Sequence, residues 1–238
     1  MLLASVGSAY DLKLSTLVAV HAIWVQAASY LDSRALYRTT SPKASRGRSV
    51  VLLLKAQRQD LYQRLQQSQS VASHLHNLSA EISITVDFLS QALCASPTDI
   101  QAVAGRFGDD ESRAVLPFIQ EWFLGEDHRY SIWHAGQVLR APQKVEADGL
   151  YRFYSVLVYH AFMTLSISSV MAKLLNRIID LGSTRMIILN GPRTSELDDY
   201  LLTGLATPAL QFKNHSEPIS KPYVIPTIMR NIFEDNHT

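Results

Sequence analysis

The stretch from Leu150 to Asp180, LYRFYSVLVYHAFMTLSISSVMAKLLNRIID, decides how this chain reads. Leu150, Phe153, Tyr154, Leu157, Val158, Ala161, Leu165, Ser168, Met171, Ala172, Leu175 and Ile179 recur at steps of three or four, the spacing of one helix face. No proline or glycine interrupts them. A helix of about 30 residues spans roughly 45 Å, enough to run through a small domain. An apolar stripe of that length has to be covered, so the remaining segments are expected to pack around it.

A membrane span is the rival reading of the same stretch. Between Val156 and Leu175, however, stand His160, Thr164, Ser166, Ser168, Ser169 and Lys173. A spanning helix needs about 20 predominantly apolar residues with few charges. The stretch therefore reads as a buried core helix, its small Ser and Ala residues letting neighbouring helices approach closely.

Working outward, 238 residues with 47% apolar content suffice for one large domain or two small ones. The formal net charge of +1 points to no class of partner, and the chain as a whole lacks the basic excess of a nucleic-acid binder. A single cysteine, Cys94, excludes an intramolecular disulfide and a cysteine-rich zinc module. Residues Met1 to Tyr10 show no positive region before an apolar run, so no secretory signal is expected, and the sequons at Asn77, Asn214 and Asn236 read as chance matches.

Helical spacing appears again over residues 11–37, through Leu14, Leu17, Val18, His21, Trp24, Val25, Ala28 and Leu31. Residues 38–48 form a basic linker with Pro42 and Gly47; from Ser33 to Gln59 there are seven basic residues and no acidic one. Those charges read as a solvated linker and a polar helix face. Further helices are expected from about Ser49 to Gln67 and from about Ser70 to Cys94, where Cys94 reads as a small buried hydrophobe. Ser96-Pro97-Thr98-Asp99 has an N-cap, a proline at the first helical position and an acid three residues on. Asp109, Asp110 and Glu111 load the start of the next helix, which Pro117 either kinks or truly begins. Another helix spans about Asp127 to Arg140. Met186 to Leu189 reads as a loop, since a lone strand has no partner. Ser195 with Asp198 caps a helix to about Leu205, Gly204 to Pro222 reads as loop, and a last helix is expected near Pro222 to Phe233.

No constellation of reactive groups stands out. His74 and His76 are two apart on a helix and face different ways, so they make no metal pair. No His-Glu-x-x-His, phosphate loop or Gly-x-Ser-x-Gly elbow occurs. His134, beside Trp133 and ahead of Gly136, lacks a positioned partner and reads as a packed histidine, as does His160; Gly136 is expected to permit close contact with the 150–180 helix. Catalytic, cofactor-binding and metal residues are therefore all expected to be none.

Several segments carry a family resemblance. The run Thr98-Asp99-Ile100-Gln101-Ala102-Val103-Ala104-Gly105-Arg106-Phe107-Gly108 and the run Ser131-Ile132-Trp133-His134-Ala135-Gly136-Gln137-Val138-Leu139-Arg140-Ala141 resemble the C-terminal part of fungal-specific transcription factors. Phe153 to Ala161, Leu189-Asn190-Gly191-Pro192 and Gly204 to Ala209 follow in the same order. The resemblance covers residues 70–238, and Trp133-His134-Ala135-Gly136-Gln137 is its most distinctive part.

It implies an all-α regulatory region acting in the nucleus on RNA polymerase II transcription through protein partners, self-association included. In that family zinc belongs to an N-terminal DNA-binding module, for which these residues have neither six cysteines nor a Cys2His2 set. DNA contact is thus expected only through a module absent here, with no cofactor in this chain and no membrane partner. The expected fold is an all-α, irregular multi-helix bundle around one long central helix at about residues 150–180. Residues 1–69 are expected to supply N-terminal helices and 70–238 one continuous regulatory-like domain. The rival expectation is a helical scaffold, or a small ligand-binding protein or enzyme with a pocket beneath the central helix lined by His134, His160 and a carboxylate.

Overall fold

Apolar residues three and four apart wind most of this chain into helices, and the fold is all-α. The computed structural model describes residues 2–40, 48–73, 80–140, 152–174, 186–204 and 207–209. The chain divides into two units, residues 1–93 and residues 94–238. Whereas the resemblance sets the expected boundary near residue 70, the helix from Ala80 groups with the N-terminal helices up to Leu93.

The first unit holds α1 (Leu2–Thr40), α2 (Arg48–Ser73) and all but the last residue of α3 (Ala80–Cys94). The early part of α1 faces the late part of α2, since Ser15, Thr16 and Ala19 share a groove with Gln67 and Ser68, so the two helices run antiparallel. Val20, Ile23, Ala27 and Tyr30 of α1 meet Leu61 and Leu65 of α2 and Ile82, Val86, Leu89 and Leu93 of α3. These steps of three and four place each set on one face. Trp24 and Phe88 pack with ring centroids 5.8 Å apart, and Arg64 donates to Gln26 Oε1 at 2.6 Å. Cys94 is buried, as expected for a small hydrophobe.

In the second unit, α4 (Pro97–Val103) begins as its sequence predicts: Ser96 Oγ accepts from the Asp99 amide at 3.3 Å. α5 (Asp109–Leu124) starts after Gly108, whose φ of 91° suits glycine, with three acids in its first turn. Pro117 lies in the interior of α5 and does not mark its first turn. α6 (Glu126–Arg140) and α7 (Arg152–Leu174) pack against one another, and α4 and α5 also touch α7. Ile100, Val115, Ile119, Trp122, Ile167 and Met171 belong to one core.

α7 is the helix of the opening stretch. It buries Leu157, Ala161, Phe162, Leu165 and Met171, and the expected continuation, residues 175–180, lies outside the described residues. By length and composition two helical segments, Leu14–Tyr37 and Tyr154–Ala172, are long and apolar enough to cross a membrane. Each buries one face within its own unit.

Three expectations need correction: the loop at 186–189, the part of the 204–222 loop at Thr207–Ala209, which is strand, and the Ser195 cap. Met186–Ile188 is a strand, β1, not a loop: it pairs in parallel with β2 (Thr207–Ala209), Ile187 opposite Pro208. The partner reads Thr-Pro-Ala, which has no strand pattern, and a proline is tolerated where a strand has a free edge. Between the strands, α8 (Ser195–Thr203) is capped not by Ser195 but by Thr194, whose Oγ1 accepts from the Leu197 amide at 3.3 Å. Thr194 has the extended backbone of an N-cap, and Gly204 ends the helix in the left-handed region at φ 76°. The expected helix at 222–233 and most of the expected loop at 204–222 lie outside the described residues, as do His74 and His76.

Candidate functional site

α6 gathers most of the polar side chains that hold the second unit in register. From Ser131 to Gly136 every residue is buried, a run that helical periodicity alone does not produce and that requires cover on more than one side. Each side of α6 meets a different element.

Toward the strand, Gly136 lies against the Leu189 backbone. A Cβ placed on Gly136 would overlap the Leu189 carbonyl and stand 2.6 Å from the Leu189 Cβ. The close approach expected of this glycine is real, but its neighbour is the turn after β1 and not α7. Gln137 then donates through Nε2 to Leu189 O at 2.7 Å and to Gly191 O at 3.0 Å, and Arg140 donates to Gly191 O at 3.1 Å. The turn supplies these carbonyls because it has left the strand ladder; Leu189 and Asn190 are buried. Thus Trp133-His134-Ala135-Gly136-Gln137 and Leu189-Asn190-Gly191-Pro192, far apart in the chain, form one clamp.

Toward α8, Arg129 donates from Nε to Leu201 O at 2.7 Å and from its guanidinium to Leu202 O at 3.0 Å. These are among the last carbonyls of a helix, which lack intrahelical donors and face the negative end of the dipole, so a cation there is favourable. A Cβ placed on Gly204 would stand 3.5 Å from the Arg129 Cδ, an ordinary contact, so it is the left-handed backbone and not the space that favours glycine there. Tyr200, buried on the same helix, has its phenol pushed well above the usual range by burial, against a smaller opposing effect of Arg129.

Toward α7, His128 shares a hydrogen bond with Ser168 Oγ, Nε2 to oxygen 2.7 Å. A serine hydroxyl on an imidazole is the geometry of an activated nucleophile. The surroundings oppose that role. His128 is buried between the edge of Trp122, centroids 4.9 Å apart, and the ring of Phe123 at 4.5 Å. Burial, with Arg129 adding to it, pushes its pKa down to about 3. A general base works best with a pKa near the working pH, and an imidazole this reluctant to take a proton is a poor one. The pair is a neutral hydrogen bond that satisfies two polar groups inside the α6–α7 contact.

Of the two histidines singled out by sequence, His134 is buried on α6 and His160 is half-buried on α7. His160 Nε2 lies 3.5 Å from the amide nitrogen of Gln101, and Arg106 donates to the other end of that amide. Burial, then Arg106, lowers the His160 pKa. The structure therefore links His160 to α4. Among the described residues no three His, Cys, Asp or Glu side chains come together as a metal set.

Sequence spacing does not bring His128, Ser168, Arg129, Gln137 and Arg140 together as a group. Their signal was present in part: His128, Ser131, Ala135 and Val138 fall at helical steps, and Ser168 stands on the inward face of the 150–180 stretch. Which helix faces which was not. Comparison of the chain with protein-family models, with curated proteins and with solved structures finds no match.

Proposed function

We propose that this chain is a non-catalytic helical regulatory region of the kind found in fungal-specific transcription factors, modulating RNA polymerase II transcription in the nucleus through contacts with other proteins. The observation that carries the proposal is the clamp. The most distinctive segment of the resemblance, Trp133 to Gln137, and a second segment of it, Leu189 to Pro192, meet through Gly136 and Gln137, so two parts of the resemblance act together. A non-catalytic role is supported by His128, which burial holds neutral in a hydrogen bond to Ser168. In this proposal zinc and DNA contact belong to the family's separate binding module.

The test is a fusion of the full chain to a heterologous DNA-binding module in a fungal reporter strain. The expected outcome is a change in reporter output relative to the binding module alone, abolished by Gly136→Leu, which opens the clamp. An expressed, nuclear fusion that leaves output at the level of the binding module alone would overturn the proposal.

A further inference from the structure

The N-terminal unit exposes apolar side chains where an ordinary helical hairpin would be polar. On α2, Val50 is 40% exposed, Val51 45%, Leu52 65% and Leu53 66%, and on α1 Leu36 is 64% exposed. The Gln26–Arg64 hydrogen bond sets the antiparallel register. Ten residues along α1 from Gln26 stands Leu36, and ten residues back along α2 from Arg64 stands Leu54, so Leu36 and the Val50–Leu53 run share one end of the hairpin.

Four consecutive positions cover a full turn at about 3.6 residues per turn, so this end of α2 is apolar on every side. A helix apolar all round belongs in a core or in lipid. Farther along, α2 returns to an ordinary pattern, with Leu61 and Leu65 inward and Lys55, Gln59 and Gln63 exposed. The sequence here carries charge of one sign: from 33 to 59 it holds Arg34, Arg38, Lys43, Arg46, Arg48, Lys55 and Arg58 and no acid, and among the described side chains Lys55 is exposed beside Leu52 and Leu53.

From this juxtaposition, Leu36 and Val50–Leu53 exposed within a uniformly basic stretch, we infer that the α1–α2 end of the first unit docks on an anionic phospholipid surface. A protein groove receives one helix face, at steps of three and four, and leaves the other faces to solvent. A fluid acyl layer receives all faces of a helix end at once. Spread basic charge suits a surface of spread negative charge, where each Lys or Arg adds attraction that salt screens. A second copy of the chain would bring the same sign of charge against itself. The contact is peripheral and does not involve a spanning helix, which sets it apart from the membrane role considered for α7. It is independent of the regulatory proposal.

The experiment is co-sedimentation of the full chain with phosphatidylcholine vesicles, with and without phosphatidylserine, across salt concentrations. Binding is expected to phosphatidylserine vesicles and to fall severalfold between low salt and about 1 M. Lys55→Gln is expected to lower partition about fivefold, the scale of one basic residue at an anionic surface. Leu52→Glu with Leu53→Glu is expected to lower it at least about tenfold, the scale of a leucine returned to water. These positions are exposed, so helix content by circular dichroism should stay that of the parent. Equal binding to both vesicle types, or binding indifferent to Leu52→Glu and Leu53→Glu, would overturn the inference. So would a dimer by light scattering that the same double substitution dissolves, since a second copy would then cover the patch.

Discussion

At the scale of single residues, Gly136 and His128 carry the sharpest consequences. Gly136→Ala gains up to about 1 kcal/mol of helix propensity. It must also push away the Leu189 backbone, which cannot swing aside as a side-chain tip can; overpacking of this kind costs about 1–3 kcal/mol. The expected net effect in urea unfolding is a loss, and a variant as stable as the parent would show that Leu189 does not sit on Gly136. His128 is neutral in the folded chain down to about pH 3, whereas unfolded it takes a proton below about 6.5. Between those values the unfolded state binds more protons. Its contribution to stability is therefore complete above pH 6.5 and declines on acidification by up to about 1.4 kcal/mol per pH unit. His128→Gln is expected to destabilise at pH 7 through lost ring packing and to flatten the slope from pH 6 to pH 4. An unchanged slope would mean that His128 is not the buried titrating group.

Elements are held by stripes and by caps. Leu157 is 1% exposed on α7, and Leu157→Ala is expected to cost about 2–5 kcal/mol. A loss below about 0.5 kcal/mol, the scale of surface changes, would mean that α7 does not bury this face. α8, nine residues long, is tied at its start by Thr194 and at its end by Arg129. Arg129→Met is expected to raise hydrogen exchange in the last turn of α8, its carbonyls losing both donors, while the middle of α7 keeps its protection. Equal protection of that turn in parent and variant would show that the arginine does not hold it.

For the whole molecule, the division of the chain is the main consequence. α3 joins α1 and α2 because Ile82, Val86, Leu89 and Leu93 share a core with Leu65. Leu65→Ala is expected to cost about 2–5 kcal/mol and to speed exchange of α3 amides together with those of α1 and α2. If α3 amides were unaffected, the break near residue 70 would be the better division.

Periodicity at three and four residues is a local property, and it sufficed to read an all-α chain, the buried stripe of Leu157, Ala161 and Leu165, the Ser96 cap and the buried Cys94. Each depends on neighbours within one or two turns. What tertiary structure alone decided were choices among distant partners: that Gly136 faces Leu189 and not α7, that Met186–Ile188 finds a strand in Thr207–Ala209, that Arg129 ends α8, and that His128 meets Ser168. A stripe states that a face must be covered but not by what, because apolar burial is non-directional. Partners follow only when all the faces compete for cover at once.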